Sequence, residues 1–444
     1  MISRLGSFCS RIAEAVVPDP FIFALLLTIT TALLGVAWTP ATPWQMVEYW
    51  MKGFWDLLAF GMQMVLILVT GGVLAQSPPV RKWIGALAHL PRTAGFAVVL
   101  VSIVAMTTAL INWGLGLIAG ALLARESGKS LAKRGIPHHY PLLGAAGYTG
   151  LLVWHGGLSG SAPLAVATPG HFLEKMVGII PVNQTLFGSL NIYVTFALLI
   201  STPFFLRRML PSDRGSWTHV QEMDDKPAVA DPRDRPNTIA RSFEESRFLT
   251  LAVCLAALSY LIFGFIRKGL AGLDLNSLNA VFLFLGFLFY LKPIRYVRAV
   301  SVSVAGAAGI ILQFPFYAGI MGMMRDSGLV QVFSQILVNA SNAATFSILA
   351  FLSGGLVNLF VPSGGGQWAV QGPILIQAAK EIGMPSSQTV MALAYGDEWT
   401  NMLQPFWALP LLGITGLQAR QIIGYTAALM ILVGPLIALG LVVF

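Results

Sequence analysis

Cysteine is nearly absent: Cys9 and Cys254 are the two in 444 residues. One near the start and one inside an apolar run offer neither a disulfide framework nor metal-ligand spacing. Charge is also scarce. Asp, Glu, Lys and Arg make up 10% of the chain, 56% is hydrophobic, and mean hydropathy is +0.74. A soluble domain carries roughly a quarter charged residues, so that class is excluded. The basic excess (net charge +8, pI near 9.6) lacks any amphipathic patch. Its residues fall in loops, as membrane topology requires, and nucleic acid is not expected as a partner. The first apolar segment follows about 20 residues of mixed charge and has no convincing cleavage site, so it reads as a first span.

What the chain does have is apolar runs near the ~20 residues a bilayer requires. Examples are 21–38, 57–75 and 248–266. One hydrophilic stretch, 207–247, holds 16 of the 46 charged residues and reads as a flexible linker. It divides the chain into an N-terminal membrane repeat (1–206) and a C-terminal one (248–444, including a connecting first span). With the N-terminus inside, 21 of the 27 Lys and Arg fall on the inside, leaving six outside. Without the long linker the count is still 13 against 6, which favours a cytoplasmic N-terminus.

This threading requires two stretches, around 93–125 and 345–381, to enter the membrane and return. They carry "LINWGLGLIAG" and "LVNLFVPSGGGQW" and open from opposite sides, as in an inverted repeat. A short amphipathic segment precedes each one (74–87 and 323–337). A span interrupted at mid-length follows each one: "YTGLLVWHGGLSGSAPLAVATPG" (148–170) and "LAYGDEWTNMLQPFW" (393–407). The expected fold class is an all-α polytopic membrane protein. It has two inverted repeats, each with a re-entrant hairpin and a broken transmembrane helix, and about nine spans in all.

Irregular backbone at membrane depth is tolerated where it is buried in protein or lines a wet cavity. A helix broken there offers free N–H groups and a positive dipole end to a carboxylate, and carbonyls and hydroxyls to Na⁺. The four interruptions supply such groups: Asn112, Gly114 and Gly116; Ser159 and Ser161; Asn358, Ser363, Gly364, Gly365 and Gly366; Asp397, Thr400 and Asn401. Close helix packing explains "GLGLIAGA" equally well, but Pro plus three Gly dismantles a helix. Asp397 and Glu398 are the acidic pair inside a span, and intramembrane carboxylates are functional by default. His155 reads either as a proton relay or anion contact or as a structural hydrogen-bonding residue. Trp113, Trp154, Phe314, Phe316 and Tyr317 are candidates for an apolar wall.

"NLFVPSGGGQW" and "YGDEWTNMLQPFW" resemble the second-repeat motifs of the ion-transporter superfamily of secondary carriers. Together with "AEAVVPDPFIFALLLT" and "NWGLGLIAGALLAR", the whole chain resembles the bacterial short-chain fatty acid transporter family. The resemblance implies a homodimeric, elevator-type importer of butyrate- or acetoacetate-like monocarboxylates in the cytoplasmic membrane, surrounded by lipid. It implies Na⁺ or H⁺ as coupling ion and no other cofactor or metal. Carried over by position, Asn112 with the Ser159–Ser161 loop makes a first cation site, and Ser363 with Asp397, Thr400 and Asn401 a second. The substrate carboxylate lies between the tips, near Asn112, Gly114, His155, Ser159, Ser161, Asn358 and Ser363–Gly366. The first tip departs from several relatives in placing Trp113 and Gly114 where they carry a hydroxyl. The rivals are a dicarboxylate or other small anion on the same architecture, a channel, and an intramembrane enzyme using His155 with Ser159 or Ser161.

Overall fold

A computed structural model describes residues 2–171, 173–219, 238–269 and 275–444. The described residues are helical, with turns between and no strand. Among the described residues six helices are long and apolar enough to cross a bilayer: Pro20–Trp38, Ala94–Ile111, Ser189–Arg208, Ile239–Arg267, Pro293–Asp326 and Ala419–Val443. A seventh counts if Pro43–Gly53 and Leu58–Leu74, bent by 48° at their junction, form one span. Asn276–Tyr290, Phe346–Asn358 and Pro405–Thr415 are apolar but shorter. The chain is thus an all-helical, multi-pass membrane protein.

Local chemistry sets the starts of these helices. Asp19 accepts the Phe21 N–H at 2.9 Å ahead of Pro20, whose missing N–H and fixed φ suit a first turn. Thr93 caps Ala94–Ile111 through Phe96 N–H at 3.2 Å. Both expected amphipathic segments are helices, Pro78–His89 and Leu329–Asn339.

Two helical hairpins organise the interior. In the first, Ala94–Ile111 turns back into Trp113–Lys133 at the single residue Asn112. Its arms meet with no more than the Ala109 methyl between them: a Cβ on Gly116 would lie 2.4 Å from the Ala109 Cβ. In the second, Phe346–Asn358 returns as Gly364–Ile382. A polar ladder joins its arms. Gln367 donates to Gly354 O (2.7 Å) and Gln371 Oε1 (2.9 Å), and Gln371 donates to Ser353 Oγ (2.7 Å).

A broken helix crosses each hairpin. The first runs Tyr140–Tyr148, passes through two short 3₁₀ turns to Gly156, and resumes at Ser161–Ala167. The second runs Ser386–Thr400, loosens over Asn401–Leu403, and resumes at Pro405–Thr415. Both crossings are backbone against backbone. A Cβ on Gly120 would sit 2.2 Å from Gly147 O, and one on Gly396 would sit 2.1 Å from Phe351 O. Gly396→Ala should therefore force the second crossing apart and cost about 3 kcal/mol, the upper part of the usual overpacking range. Thermal melting in detergent should show a clear drop, and an unchanged melt would contradict this crossing.

Both ends of the hydrophilic segment are structured. After Arg208 the chain returns to the first broken helix: Tyr140 N–H donates to Thr218 O at 2.8 Å, and Thr218 N–H donates to His139 Nδ1 at 3.1 Å. At the far end, Glu245 binds Arg241 at 2.9 Å and Lys292 at 2.5 Å. Residues 220–237 of the expected linker lie outside the described residues.

Burial, with His138 and His219 adding, pushes His139 down to about 4. Its Nδ1 accepts a hydrogen bond, so the clamp requires the neutral ring. Between the ordinary histidine value and about 4, the released segment binds a proton that the clamped one refuses. The clamp is therefore intact at neutral pH and weakens as pH falls toward 4. Maleimide labelling of Thr218→Cys, taken relative to a free thiol at each pH, should rise over that window, and a flat ratio would contradict the assignment.

Candidate functional site

Asn112 and Ser363 are the residues on which the two hairpins turn. Asn112 has extended backbone, and its Oδ1 accepts Gly114 N–H (3.0 Å) and Leu115 N–H (3.1 Å). One side chain thus caps the returning arm. The first broken helix holds this tip from the outside: Trp113 N–H donates to Ser159 Oγ at 3.0 Å, and Leu158 N–H to Leu110 O at 2.7 Å. The Asn112 tip and Ser159 are thus neighbours. Gly114 is also buried at this tip, where a Cβ would strike Ile67 at 2.8 Å.

At the second tip, Ser363 Oγ accepts Gly366 N–H at 3.2 Å, capping Gly364–Ile382. Its hydroxyl is engaged in that cap. The residue that reaches Asp397, Thr400 and Asn401 is instead Asn358. Its Nδ2 donates to Asp397 O (2.7 Å), Thr400 Oγ1 (3.1 Å) and Asn401 Oδ1 (2.9 Å). Gln404 Nε2 donates back to Asn358 O, and Tyr148 OH from the first repeat reaches Asn401 O and Gln404 O at 2.9 and 3.0 Å. All of these groups are buried, Thr400 and Gln404 the most exposed at 4%.

The two halves meet at His155. Its Nε2 stands 3.2 Å from Asp397 Oδ1, both buried, with no hydrogen bond made between them. The His155 main-chain N–H donates to Glu398 Oε2 at 3.0 Å. The same ring lies directly beneath the second tip: a Cβ on Gly364 would fall 2.5 Å from His155 Nε2 and 3.0 Å from the Trp154 ring. Ser161 faces Gly365, 4.0 Å from where its Cβ would be. One compact centre therefore collects His155 and Ser161 from the first broken helix, Asp397 and Glu398 from the second, and the second tip's glycines.

His155 makes no hydrogen bond to Ser159, whose hydroxyl serves Trp113. Aromatic rings extend outward from His155. Trp154 contacts Trp113 (6.2 Å between ring centres), Trp113 contacts Trp407 (5.2 Å), and Trp407 leads to Phe406 (5.0 Å), Phe314 and Tyr317. Phe316 is not in this wall. It packs on Phe21 (5.1 Å) and Phe54 (5.5 Å) on the far face of its helix. Sequence reasoning missed Gln367, Gln371, Gln404 and Tyr148, all buried and polar. The i, i+4 spacing of Gln367 and Gln371 was the available signal.

Polar helix breaks buried together inside apolar spans are a feature of membrane transport proteins. The family described as short chain fatty acid transporter matches residues 1–444. A protein of Escherichia coli K12 named for short-chain fatty acid transport is 43% identical over 451 residues, covering 100% of both chains. A counterpart in Haemophilus influenzae is 40% identical, with 99% of each covered. The chain belongs to the short chain fatty acid transporter family. Among solved structures, the YdaH transporter of Alcanivorax borkumensis is 19% identical over 96% of this chain and 97% of its own, with a TM-score of 0.43.

Proposed function

We propose that the protein is a secondary active carrier importing short-chain monocarboxylates, butyrate- or acetoacetate-like, across the bacterial cytoplasmic membrane. The observation that carries this reading is the second tip. Gly364–Gly366 present a helix N-terminus bare of side chains, capped by Ser363 and set on His155 and Trp154. Such an end suits one carboxylate. The Trp154–Trp113–Trp407 wall beside it suits a short apolar tail. No Lys or Arg lies near the two tips, which suits a monoanion better than a dicarboxylate.

In this reading both hairpins are re-entrant, and nine spans form two inverted repeats, 1–206 and 248–444, around the 207–247 linker. The N-terminus is cytoplasmic. Asp397 with Thr400 and Asn401 forms the cation site for Na⁺ or H⁺. Two copies pair through their scaffold spans, and each transport unit, hairpins and broken helices together, moves as an elevator.

Radiolabelled butyrate uptake into proteoliposomes, under separate Na⁺ and proton gradients, tests the proposal. Concentrative, saturable uptake inhibited by acetate but not succinate is expected. Inhibition by succinate alone would overturn the substrate, and non-saturating flux independent of any gradient would indicate a channel.

A further inference from the structure

The helix Ile2–Val16 belongs to neither hairpin nor span, and its three faces differ in chemistry. Gly6, Ser10 and Ala13 are buried on one edge. There Ser10 passes so close to Ala419–Val443 that a Cβ on Gly424 would lie 2.3 Å from the Ser10 Cα. On a second face, Phe8, Ile12 and Val16 follow one another at four-residue steps and are 54%, 46% and 71% exposed. Arg4 and Arg11, both exposed and seven residues apart, run alongside that stripe. The acid Glu14 lies on their far flank, away from the apolar face, by the 100° step of a helix.

The helix also lies at the surface where spans end. Three residues separate it from Pro20–Trp38, a span only 17% buried within the protein. Its contact with Gly424 falls in the first turns of Ala419–Val443. Ser3 Oγ donates to Leu210 O at 3.0 Å, two residues past the end of Ser189–Arg208. Ile2–Val16 thus touches three span ends and packs along the first turns of Ala419–Val443. An apolar stripe there faces the acyl boundary, and arginines at its margin face headgroups.

We propose that Ile2–Val16 is an interfacial anchor for anionic phospholipid, with Phe8, Ile12 and Val16 sunk among acyl chains and Arg4 and Arg11 bound to headgroup phosphate. Paired basic residues beside the stripe select anionic over zwitterionic lipid, by roughly fivefold per arginine near a charged surface. The anchor is independent of what the carrier moves.

The test uses the full chain with Cys9→Ser and Cys254→Ala, labelled with an environment-sensitive fluorophore at Phe8→Cys. It is reconstituted in bilayers of phosphatidylcholine and phosphatidylglycerol, with one or the other lipid brominated as quencher. Blue-shifted emission is expected, quenched several-fold more by brominated phosphatidylglycerol. Arg4→Gln with Arg11→Gln should erase that preference and leave the blue shift. A second label at Glu14→Cys, on the polar flank, should stay water-exposed and checks that the labelled helix keeps its orientation. Emission at Phe8→Cys typical of water would overturn the anchor, as would equal quenching at both positions. Equal quenching by both lipids would overturn the anionic assignment. A blue shift insensitive to either quencher would mean that protein covers the stripe.

Discussion

Gly364→Ala is expected to abolish substrate uptake in a protein that still folds. The added methyl would lie 2.5 Å from His155 Nε2 and 2.7 Å from Cε1, so the tip or the ring must shift by about 1 Å. A displacement of that size in a positioned site costs roughly 100-fold in rate. Gly365, whose Cβ would meet nothing closer than Ser161 at 4.0 Å, should accept alanine with far smaller loss. Proteoliposome uptake by the two variants, matched for monodispersity, makes the comparison. Equal activity would mean that the second tip does not sit on His155 in the working cycle.

Asp397→Asn should have the second large effect, with the opposite signature in stability. A carboxylate buried in the membrane costs several kcal/mol, so the neutral isostere should melt no earlier than the parent. Asp397 is bonded to Asn358 through its main-chain carbonyl, and the substitution leaves that bond in place. What disappears is the charge facing His155 at 3.2 Å. Uptake should fall on the order of 100-fold, since each 1.4 kcal/mol of lost interaction is a factor of ten. Glu398→Gln is the contrast. Its Oε2 accepts the His155 main-chain N–H, and a glutamine carbonyl can take the same bond. It should keep most of the activity. If Glu398→Gln proves the more damaging, the two carboxylates must exchange roles.

The sequence carried the helical membrane class, the two breaks and the residues at them, because Pro, Gly and Asn disrupt a helix wherever they occur. It did not carry rotation about a helix axis. Ser363 was expected to face the second cation site, yet its hydroxyl turns to Gly366 and Asn358 takes the contacts. Both residues lie within six positions of each other, and nothing in an apolar stretch fixes which one faces inward. Phe316 was misplaced for the same reason: one step of about 100° separates it from Tyr317, which joins the aromatic wall. Gln404 and Tyr148 were missed because their partners are main-chain carbonyls, which no residue type advertises.

The two hairpins also differ in mechanical compliance. The first closes through a glycine–alanine contact, where any parting of the arms opens a void with no atoms to fill it. The second closes through amide groups of Gln367 and Gln371, and each of those bonds can be exchanged for one to water at little net cost. A molecule built this way has one rigid jaw and one that yields. Thermal motion should therefore admit solvent along the Gly364–Ile382 side before the Ala94–Ile111 side.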